Sequence, residues 1–373
     1  MNSMKKLIVI NVFVLAFSQS GYSQTYKKNS YYFDLIYDIY SHNYLSVKAA
    51  GKGYTGIAGN NDLSGIVLNP ASLSQKDKFQ IYAEYLYKWE TPYNKYSSGN
   101  FYEQYNPTML AGISYKINKD FIAGILYQNN NNYNFNFNIT NELGEPAGKG
   151  NNAFSISSLT LPIVYSGVDM LKFGINLNYS FYSYKREGSD NFEYTESFEK
   201  FIPDFGIIYT PINNLSIGAT FTPETSENIE YKSSDTNFTY KDPNYFPLEV
   251  SIGVNYKFEE TPLTLSMDYR FINTSVDESL DDRNDFYFGM EYGFNKMIII
   301  RSGIFTVKDF RNINNYVFIY IPDPGSYSQT FGTLGATVNI DKLNLNLSLI
   351  DSHIFSSGNI TQTQLNFGAG YNF

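Results

Sequence analysis

The sequence predicts an all-β protein: a 14-stranded antiparallel transmembrane β-barrel whose lumen is plugged by an N-terminal hatch. Composition is the first observation behind this prediction. Aromatic residues make up 18% of the 373 residues and charged residues only 17%, against about 25% charged residues in a typical soluble domain. Mean hydropathy is nevertheless −0.31, which argues against a membrane protein built from long apolar helices. A closed β-barrel has the one apolar and one polar face that such a composition needs.

The alternation of apolar and polar residues is the second observation. In residues 248–258, for example, Leu248, Val250 and Ile252 alternate with polar or small residues. Side chains of a strand point alternately to its two faces, so each such segment has an apolar and a polar side. Most segments are about ten residues or longer, the length with which a tilted strand crosses a bilayer. The fourteen predicted strands are 78–89, 107–117, 120–139, 153–166, 170–185, 200–210, 214–223, 246–258, 262–274, 284–294, 297–308, 328–340, 342–351 and 361–373.

The lengths of the connections are the third observation. Six tight turns alternate strictly with seven long polar loops along the predicted barrel. Bacterial barrels have this asymmetry because their periplasmic turns are short and their extracellular loops are long. A soluble β-sandwich shows the same residue alternation but has no reason to sort its loops in this way. The long loops are predicted at 90–106, 140–152, 186–199, 224–245, 275–283, 309–327 and 352–360.

Residues 1–23 are predicted to be a secretory signal peptide. Two lysines precede an apolar run from Leu7 to Phe17, and small residues follow near Ser23. This order of basic, apolar and small segments is typical of a cleaved export signal. The run is about half as long as a membrane-spanning helix. We therefore expect an exported, processed protein in the outer membrane of a Gram-negative bacterium, where it crosses the bilayer with strands.

Charged residues within the predicted strands fall on the polar face, which we assign to the lumen. A charge on the lipid face costs about 2–4 kcal/mol near the bilayer midplane, so the inward placement supports the register. Both signs occur, and we expect these charges to pair across the lumen. Stiffening of the wall and binding of a substrate are both open as their roles. The predicted lumen charges are Glu84, Lys116, Glu249, Asp268, Arg270, Glu291 and Arg301.

Residues 24–77 lack sustained alternation and are predicted to form the hatch, followed by the barrel at 78–373. A 14-stranded barrel is too wide for its own side chains to fill, and the glycines of this segment allow close backbone approach. Asn69 precedes Pro70, which favours an extended backbone and leaves the Asn69 amide able to bind backbone groups. The alternative is that this Asn-Pro-Ala sequence is simply the corner between hatch and first strand.

The hatch sequence resembles that of the FadL/TodX family of outer-membrane transporters, in a Bacteroidetes-type form. A Gly-rich stretch from Ala49 to Ala58 is followed by an acidic residue and then by Asn-Pro-Ala before the first strand. The resemblance implies passive transport of long-chain fatty acids or other hydrophobic compounds, a hatch that moves, and a lateral exit near the third strand. Other 14-stranded barrels, including secretion-system scaffolds, share a similar hatch. The residues that match the motif are Gly51, Gly53, Gly56, Asp62, Asn69, Pro70 and Ala71.

The third and fourth strands are irregular, and we predict a lateral gate between them. The run from Gln128 to Asn132 interrupts the alternation and presents nothing apolar to lipid. In the fourth strand the apolar phase shifts between Ile156 and Leu159, which predicts a bulge. A proline follows, and proline cannot donate to a sheet ladder. The alternative is that the Asn run lies above the membrane and the bulge only bends the wall. The predicted gate residues are Gln128, Asn129, Asn130 and Pro162.

Catalysis is not expected, and no catalytic residue, metal ligand or cofactor is predicted. Neither His42 nor His353 lies in a nucleophile or metal-ligand context. The chain contains no cysteine, which excludes disulfides and thiolate metal sites. A formal charge of −9 gives no reason to expect nucleic acid as a partner. The expected partners are outer-membrane lipid and a hydrophobic small-molecule ligand, and the expected state is a monomer.

Three classes of function compete at this point. A passive transporter of hydrophobic molecules is favoured, and the alternative is a non-transporting scaffold of a secretion or surface-attachment system. An enzyme or an open porin is the third class, but an open porin would not need a hatch. The cavity distinguishes the first two classes, since a transporter needs a continuous apolar cavity whereas a scaffold can have a polar, filled lumen.

Overall fold

The computed structural model describes residues 46–59, 62–90, 102–105, 108–140, 146–187, 193–233, 238–276, 280–308, 310, 328–355 and 362–373. The predicted signal peptide and residues 24–45 of the predicted hatch lie outside these ranges. Within them, no helix is long and apolar enough to cross a membrane.

Seventeen β-segments form one antiparallel sheet. Their bounds are β1 Phe79–Glu90, β2 Tyr102–Tyr105, β3 Thr108–Lys116, β4 Phe121–Thr140, β5 Pro146–Val168, β6 Leu171–Glu187, β7 Glu193–Ile212, β8 Leu215–Thr222, β9 Thr225–Ser233, β10 Phe238–Phe246, β11 Glu249–Lys257, β12 Leu263–Ile272, β13 Arg283–Gly293, β14 Ile298–Val307, β15 Gln329–Ile340, β16 Leu343–Asp351 and β17 Gln362–Asn372.

The sheet closes into a barrel of 14 strands. Three pairs of segments, β2 with β3, β8 with β9 and β10 with β11, each continue one strand past a short interruption. The first and last strands close the barrel, with Ala83 of β1 opposite Ala369 of β17. The predicted 14-stranded antiparallel barrel is confirmed.

Four of the predicted long loops are wrong in part, because strands extend into them. β2 lies within the loop predicted at 90–106. β5 begins at Pro146 and β7 at Glu193, seven residues earlier than predicted in each case. The loop predicted at 224–245 contains β9 and β10, which pair with each other. Outside the bilayer both faces of a strand contact water, so backbone pairing continues there without the alternation that marks a membrane-spanning strand.

The outer face of the barrel is apolar. In β11, the outward side chains of Ile252, Val254 and Tyr256 are exposed, whereas inward Ser251 and Gly253 are buried. At the end that carries the short turns, aromatic rings pair on the outer face and form the girdle expected at a membrane boundary. These ring pairs are Phe79 with Tyr115, Phe121 with Tyr165, Tyr256 with Phe258, Tyr292 with Phe294, and Tyr371 with Phe373.

The described part of the hatch lies inside the barrel. It contains the helix α1 (Val47–Gly51) and two 3-10 helices, Leu63–Val67 and Pro70–Ser72. Helix α1 packs against β14 to β17, whereas the Pro70–Ser72 helix packs against β5, β6 and β7. The hatch therefore contacts opposite sides of the lumen.

A hydrophobic core joins the hatch to the wall near the first strands. Leu63, Ile66 and Leu73 of the hatch are at most 1% exposed. They pack against inward side chains of β1, β3, β4 and β5, so the hatch is held there as the core of a globular domain would be. The wall side of this core is Tyr82, Leu86, Leu110, Ile122, Leu126 and Val164.

Candidate functional site

Two wall carboxylates hold the hatch by its backbone. One oxygen of Asp268 on β12 accepts hydrogen bonds from the N–H of Gly56 at 2.6 Å and of Ile57 at 2.9 Å. Glu84 on β1 accepts a hydrogen bond from the N–H of Val47 at 2.9 Å. Both carboxylates are almost fully buried. A buried backbone N–H without an acceptor is costly, so the hatch is fixed to the wall at these two points.

The Asn-Pro-Ala corner ties the hatch both to itself and to the wall. Asn69 is extended at φ −148°, and its Oδ1 accepts from the N–H of Ala71 at 2.8 Å, which caps the helix that Pro70 begins. Asn69 Nδ2 donates to the carbonyl of Ile57 at 2.6 Å and to that of Ile207 on β7 at 3.2 Å. One side-chain amide therefore joins two parts of the hatch to a barrel strand.

Charged side chains link the helices of the hatch. Asp62 caps the first 3-10 helix by accepting from the N–H of Gly65 at 2.8 Å, and its other carboxylate oxygen lies 2.9 Å from Lys48 Nζ. Lys52 is also buried. Burial lowers the pKa of the Lys52 ammonium, and the nearby Glu291 carboxylate opposes this shift. Charges of the wall and of the hatch thus act on one another.

A belt of glycines on the inner wall makes room for the hatch backbone. A Cβ added at Gly218 on β8 would lie 1.9 Å from the carbonyl oxygen of Ile57. One added at Gly206 on β7 would lie 2.0 Å from Asn69 Oδ1. At each belt position an added Cβ would come within 3.2 Å of a hatch atom, so a larger residue would collide with the hatch. Among the described residues, the belt comprises Gly112, Gly174, Gly206, Gly218, Gly253, Gly289, Gly303, Gly335 and Gly368.

Glycines of the hatch motif approach the wall equally closely. A Cβ added at Gly51 would lie 2.7 Å from the Cα of Gly335. Gly53 has φ +66°, a left-handed conformation that favours glycine. Its N–H donates to Thr333 Oγ1 on β15 at 2.8 Å. Gly51 and Gly53 of the motif are therefore positions of close contact between two backbones.

Four of the predicted lumen charges form two pairs along the wall. Arg270 contacts Glu249 on the neighbouring strand with N···O distances of 2.5 and 2.6 Å. Arg301 lies opposite Glu291 and contacts it at 2.7 Å. The expectation that charges pair across the lumen is wrong, because in a barrel of this width a side chain reaches only adjacent strands or the hatch.

The remaining predicted lumen charges contact the hatch. Asp268 and Glu84 bind hatch N–H groups, as described above. Lys116 Nζ donates to the carbonyl of Gln75 at 3.3 Å. These three side chains therefore fasten the plug to the wall.

A cavity of about 390 Å³ lies above the hatch, toward the end of the barrel with the long connections. Its floor is formed by hatch residues Ile66, Val67, Leu68 and Pro70. Its wall is formed by the strands from β4 to β13. This volume lies within the range of small-molecule binding sites, about 300–1,000 Å³.

The mouth of the cavity is aromatic. The rings of Tyr182 and Phe198 are stacked with centroids 4.4 Å apart, and Phe246 lies 5.2 Å from Phe198. Lys200 Nζ lies 3.5 Å from the centroid of Phe246, as in a cation–π contact. The deeper wall is polar, so the cavity is not the continuous apolar space that sequence reasoning asked of a transporter. The polar residues there include Ser158, Thr160, Asn176, Asn178, Asp204 and Thr222.

The strand pair β4–β5 contains a β-bulge, although not in the strand for which it was predicted. Asn129 lies opposite Ser157 whereas Asn131 lies opposite Ile156, so Asn130 is the extra residue of β4. Asn129 Nδ2 donates to Ser157 Oγ at 3.0 Å. The bulge therefore lies within the polar Asn run of β4.

The bulge predicted in the fourth strand, β5, is wrong. β5 pairs with β6 without a register shift from Asn151 to Tyr165. Ile156 lines the cavity, and Leu159 is exposed on the outer face. The apparent phase shift arises because an inward apolar residue at the cavity is followed by outward apolar residues in the membrane.

The ladder between β4 and β5 is interrupted below the bulge. Pairing is present at Ala123 with Ile163 and at Leu126 with Thr160, and the two rungs between them are missing. Pro162 occupies one of these rungs, and it lacks the N–H that the ladder needs. Among the four predicted gate residues, Pro162 marks this gap, Gln128 lines the cavity, and Asn129 and Asn130 form the bulge.

No cluster of three or more metal-ligating side chains is present in the part of the chain that the structure describes. His353 Nδ1 lies 3.0 Å from Asp351 Oδ2, and His42 lies outside the described residues.

Several solved structures share this barrel fold. No protein-family model and no curated protein sequence matches this chain. A deltaS2 mutant of the TodX monoaromatic hydrocarbon channel superposes with a TM-score of 0.63 at 13% identity, covering 89% of this chain and 99% of the other. The chain has the fold of this channel. A Pseudomonas aeruginosa FadL homologue gives 0.63 at 12% identity, covering 88% and 98%. The Pseudomonas putida toluene transporter TodX gives 0.61 at 12%, covering 94% and 100%.

The resemblance to FadL and TodX is thereby confirmed at the level of the fold. Sequence reasoning nevertheless missed the contacts that hold the hatch. The glycine belt was visible as a recurring glycine on the inward face of successive strands, yet each one looked like an ordinary small residue on a polar face. The hydrogen bonds from Gly56 and Ile57 to Asp268 join residues more than 200 positions apart, and no local sequence pattern predicts such a pair.

Proposed function

We propose that the protein mediates passive uptake of hydrophobic small molecules, long-chain fatty acids among them, across the outer membrane of a Gram-negative bacterium. The observation that carries this proposal is the position of the hatch between the cavity and the gap in the wall. An aromatic mouth receives the solute. The Leu63–Val67 helix of the hatch supplies part of the cavity floor and packs against β4 and β5, the strands with the missing rungs. The fold is also that of channels for hydrophobic compounds.

The proposed path runs from the mouth to the wall. Ile66 belongs both to the floor of the cavity and to the buried core that backs β4 and β5. A shift of this helix would connect the cavity with the gap at Pro162. An apolar solute could then enter the bilayer sideways, without crossing the polar periplasmic end of the lumen.

The rest of the assignment is part of the same proposal. Residues 1–23 are a cleaved signal peptide, residues 24–77 form the hatch, and residues 78–373 form the barrel. The protein acts as a monomer whose outer face contacts outer-membrane lipid, as its exposed apolar face requires. The channel fold gives no reason to assign catalysis.

The polar wall of the cavity favours a second candidate, a scaffold of a secretion or surface-attachment system. A scaffold does not need an apolar path for a solute, so polar residues in its lumen are compatible with its function. The interrupted β4–β5 ladder and the aromatic mouth have no role in that function, and for this reason transport is preferred.

Uptake into cells distinguishes the two candidates. Expression of the full-length protein in a strain that lacks its own uptake channels should accelerate accumulation of a fluorescent long-chain fatty acid. The size-matched control is a polar dye of similar mass, whose uptake should not change because the hatch blocks the lumen below the cavity. A scaffold would leave both rates at the level of the empty vector.

The lateral gate has a test of its own. Ile125 and Leu161 face each other across the missing rungs and both point outward. Since the chain lacks cysteine, the double variant Ile125→Cys/Leu161→Cys can be cross-linked cleanly. Cross-linking removes the open state of the wall. The uptake rate of the oxidised variant should therefore fall to about a tenth of the rate measured after its disulfide is reduced.

A cross-link on an intact ladder is the control for this experiment. Val254 and Met267 are paired on β11 and β12, and both face outward. Oxidation of Val254→Cys/Met267→Cys should leave uptake unchanged. Full uptake through the cross-linked Ile125→Cys/Leu161→Cys barrel would exclude this gate even if transport itself were established.

A further inference from the structure

A cluster of polar side chains occupies the deep wall of the cavity, just above the hatch. We call it the Asp204 cluster; it consists of Thr160, Asn176, Asn178, Asp204 and Thr222. The strand register brings these residues together on the inner face. Thr160 of β5 lies opposite Asn178 of β6, and Asn176 of β6 lies opposite Asp204 of β7.

The donors of the Asp204 cluster are used within the protein. Asn178 Nδ2 donates to one oxygen of Asp204 at 2.6 Å, and Thr222 Oγ1 donates to the other at 2.8 Å. Thr160 Oγ1 donates to Asn178 Oδ1 at 2.7 Å. Asn176 Nδ2 donates to the carbonyl of hatch residue Ile66 at 2.9 Å.

Two buried polar groups at this wall have no hydrogen-bond partner in the protein. Asn176 Oδ1 has no protein partner, although the side chain is only 2% exposed and lines the cavity. Ser158, two positions before Thr160 on the same face of β5, is equally buried, and its hydroxyl, which can donate or accept, has no protein partner. A buried acceptor without a donor is costly. A ligand that brings a hydrogen-bond donor to this wall would remove that cost.

The charges around the cavity do not favour an anion. Arg270 is paired with Glu249, and Arg283 contacts Asp285 at 2.6 Å. Lys200 lies over an aromatic ring at the mouth, four positions along β7 from Asp204. A carboxylate that reached the Asp204 cluster would meet another carboxylate there, and like charges in close contact are strongly unfavourable.

We propose that the cavity takes an amphipathic molecule with an apolar body and a neutral head that donates a hydrogen bond, such as a long-chain alcohol or primary amide. The same molecule with a carboxylate head is bound less tightly. The apolar body packs on the aromatic mouth and the head reaches Asn176 and Asp204. This inference rests on the proposed transport of hydrophobic molecules, fatty acids included, and ranks neutral amphiphiles above carboxylates within that class.

Equilibrium binding to the purified mature protein tests the inference. Radiolabelled 1-decanol, decanamide and decanoate are measured at neutral pH in detergent, against protein-free micelles. The alcohol and the amide should bind at least about tenfold more tightly than decanoate, because only they can donate to the leftover acceptors without bringing a second negative charge.

Two variants distinguish the effect of the Asp204 charge on binding from the effect of the cavity's shape. Asp204→Asn removes the negative charge and keeps the volume, so the preference for alcohol over acid should fall several-fold. Asp341→Asn is the matched control, because Asp341 lies in a tight turn outside the lumen at φ +53°, a conformation that Asn adopts readily. Its preference should equal that of the wild type.

Each outcome has a distinct meaning. Equal binding of decanol and decanoate by the wild type, or an unchanged preference in Asp204→Asn, would overturn this inference and leave the transport proposal standing. Absence of binding for all three amphiphiles, together with no fatty-acid uptake in cells, would overturn both. A tenfold preference that Asp204→Asn reduces and Asp341→Asn preserves is the result expected.

Discussion

Replacement of Gly218 by valine is expected to displace the hatch and turn the barrel into an open pore. A Cβ at this position would lie 1.9 Å from the carbonyl oxygen of Ile57 and 2.8 Å from the Cα of Ala58. The obstructing atoms belong to backbone, which cannot swing aside as the end of a flexible side chain can. The hatch must therefore leave the wall at β8, and a 14-stranded barrel without its plug is wide enough to conduct ions.

Conductance across a planar lipid bilayer measures this effect. The Gly218→Val protein should conduct ions at least about tenfold more than wild type. Gly293→Val is the matched control, because a Cβ at Gly293 would have no neighbour closer than 3.8 Å. Resistance of the unheated barrel to unfolding in dodecyl sulfate shows that each variant is folded. A folded Gly218→Val barrel with wild-type conductance would show that the hatch accommodates the added methyl groups.

The strands were predictable from sequence because the bilayer imposes a pattern on them. Each membrane-spanning segment must be apolar outside and can be polar inside, so alternation identifies it within a residue or two. β12, for example, runs from Leu263 to Ile272 where 262–274 was predicted. The extensions of β5 and β7 escaped prediction because water on both faces removes the pattern while the backbone pairing continues.

The contacts of the hatch could be predicted only in part. The motif around Asn69 and Pro70 indicated an extended residue with an available amide, and its local geometry follows from that. Its partner Ile207 could not be named, because the contact depends on where the corner meets the barrel wall. Gly206, one residue earlier in β7, must be small because Asn69 packs against it. The need for glycine at this wall position therefore follows from the position of the hatch.

The cavity was the least predictable feature. Its polar wall lies on the strand face that alternates with the apolar one, but Asp204 was not among the predicted lumen charges. Ile156, by contrast, was taken as a sign of a bulge because an apolar residue is unexpected on an inward face. Neither pattern reveals that the described part of the hatch leaves a cavity on one side of the lumen, since that depends on where its helices pack.

Removal of the Asp268 carboxylate is expected to loosen the hatch without adding any atom to the lumen. In Asp268→Ala, the N–H groups of Gly56 and Ile57 lose the oxygen that accepts both of them at 2.6 and 2.9 Å. Each hydrogen bond to a charged group contributes about 1.5–3 kcal/mol, and relief of the buried charge offsets part of the sum. A net loss of about 3 kcal/mol would raise the population of the displaced hatch by about a hundredfold.

Single-channel recording measures that population as the fraction of time in which the barrel conducts. Asp268→Asn keeps one acceptor oxygen but not the charge, so its open fraction should lie between those of Asp268→Ala and wild type. Glu249→Gln is the control for a lost lumen charge, because Glu249 is paired with Arg270 on the wall and the hatch bonds described for Asp268 remain intact. If Glu249→Gln opened the barrel as often as Asp268→Ala, the lumen charge rather than the two backbone bonds would hold the plug. An open fraction that rises in the order wild type, Asp268→Asn, Asp268→Ala, with Glu249→Gln at the wild-type level, would identify Asp268 as the latch of the hatch.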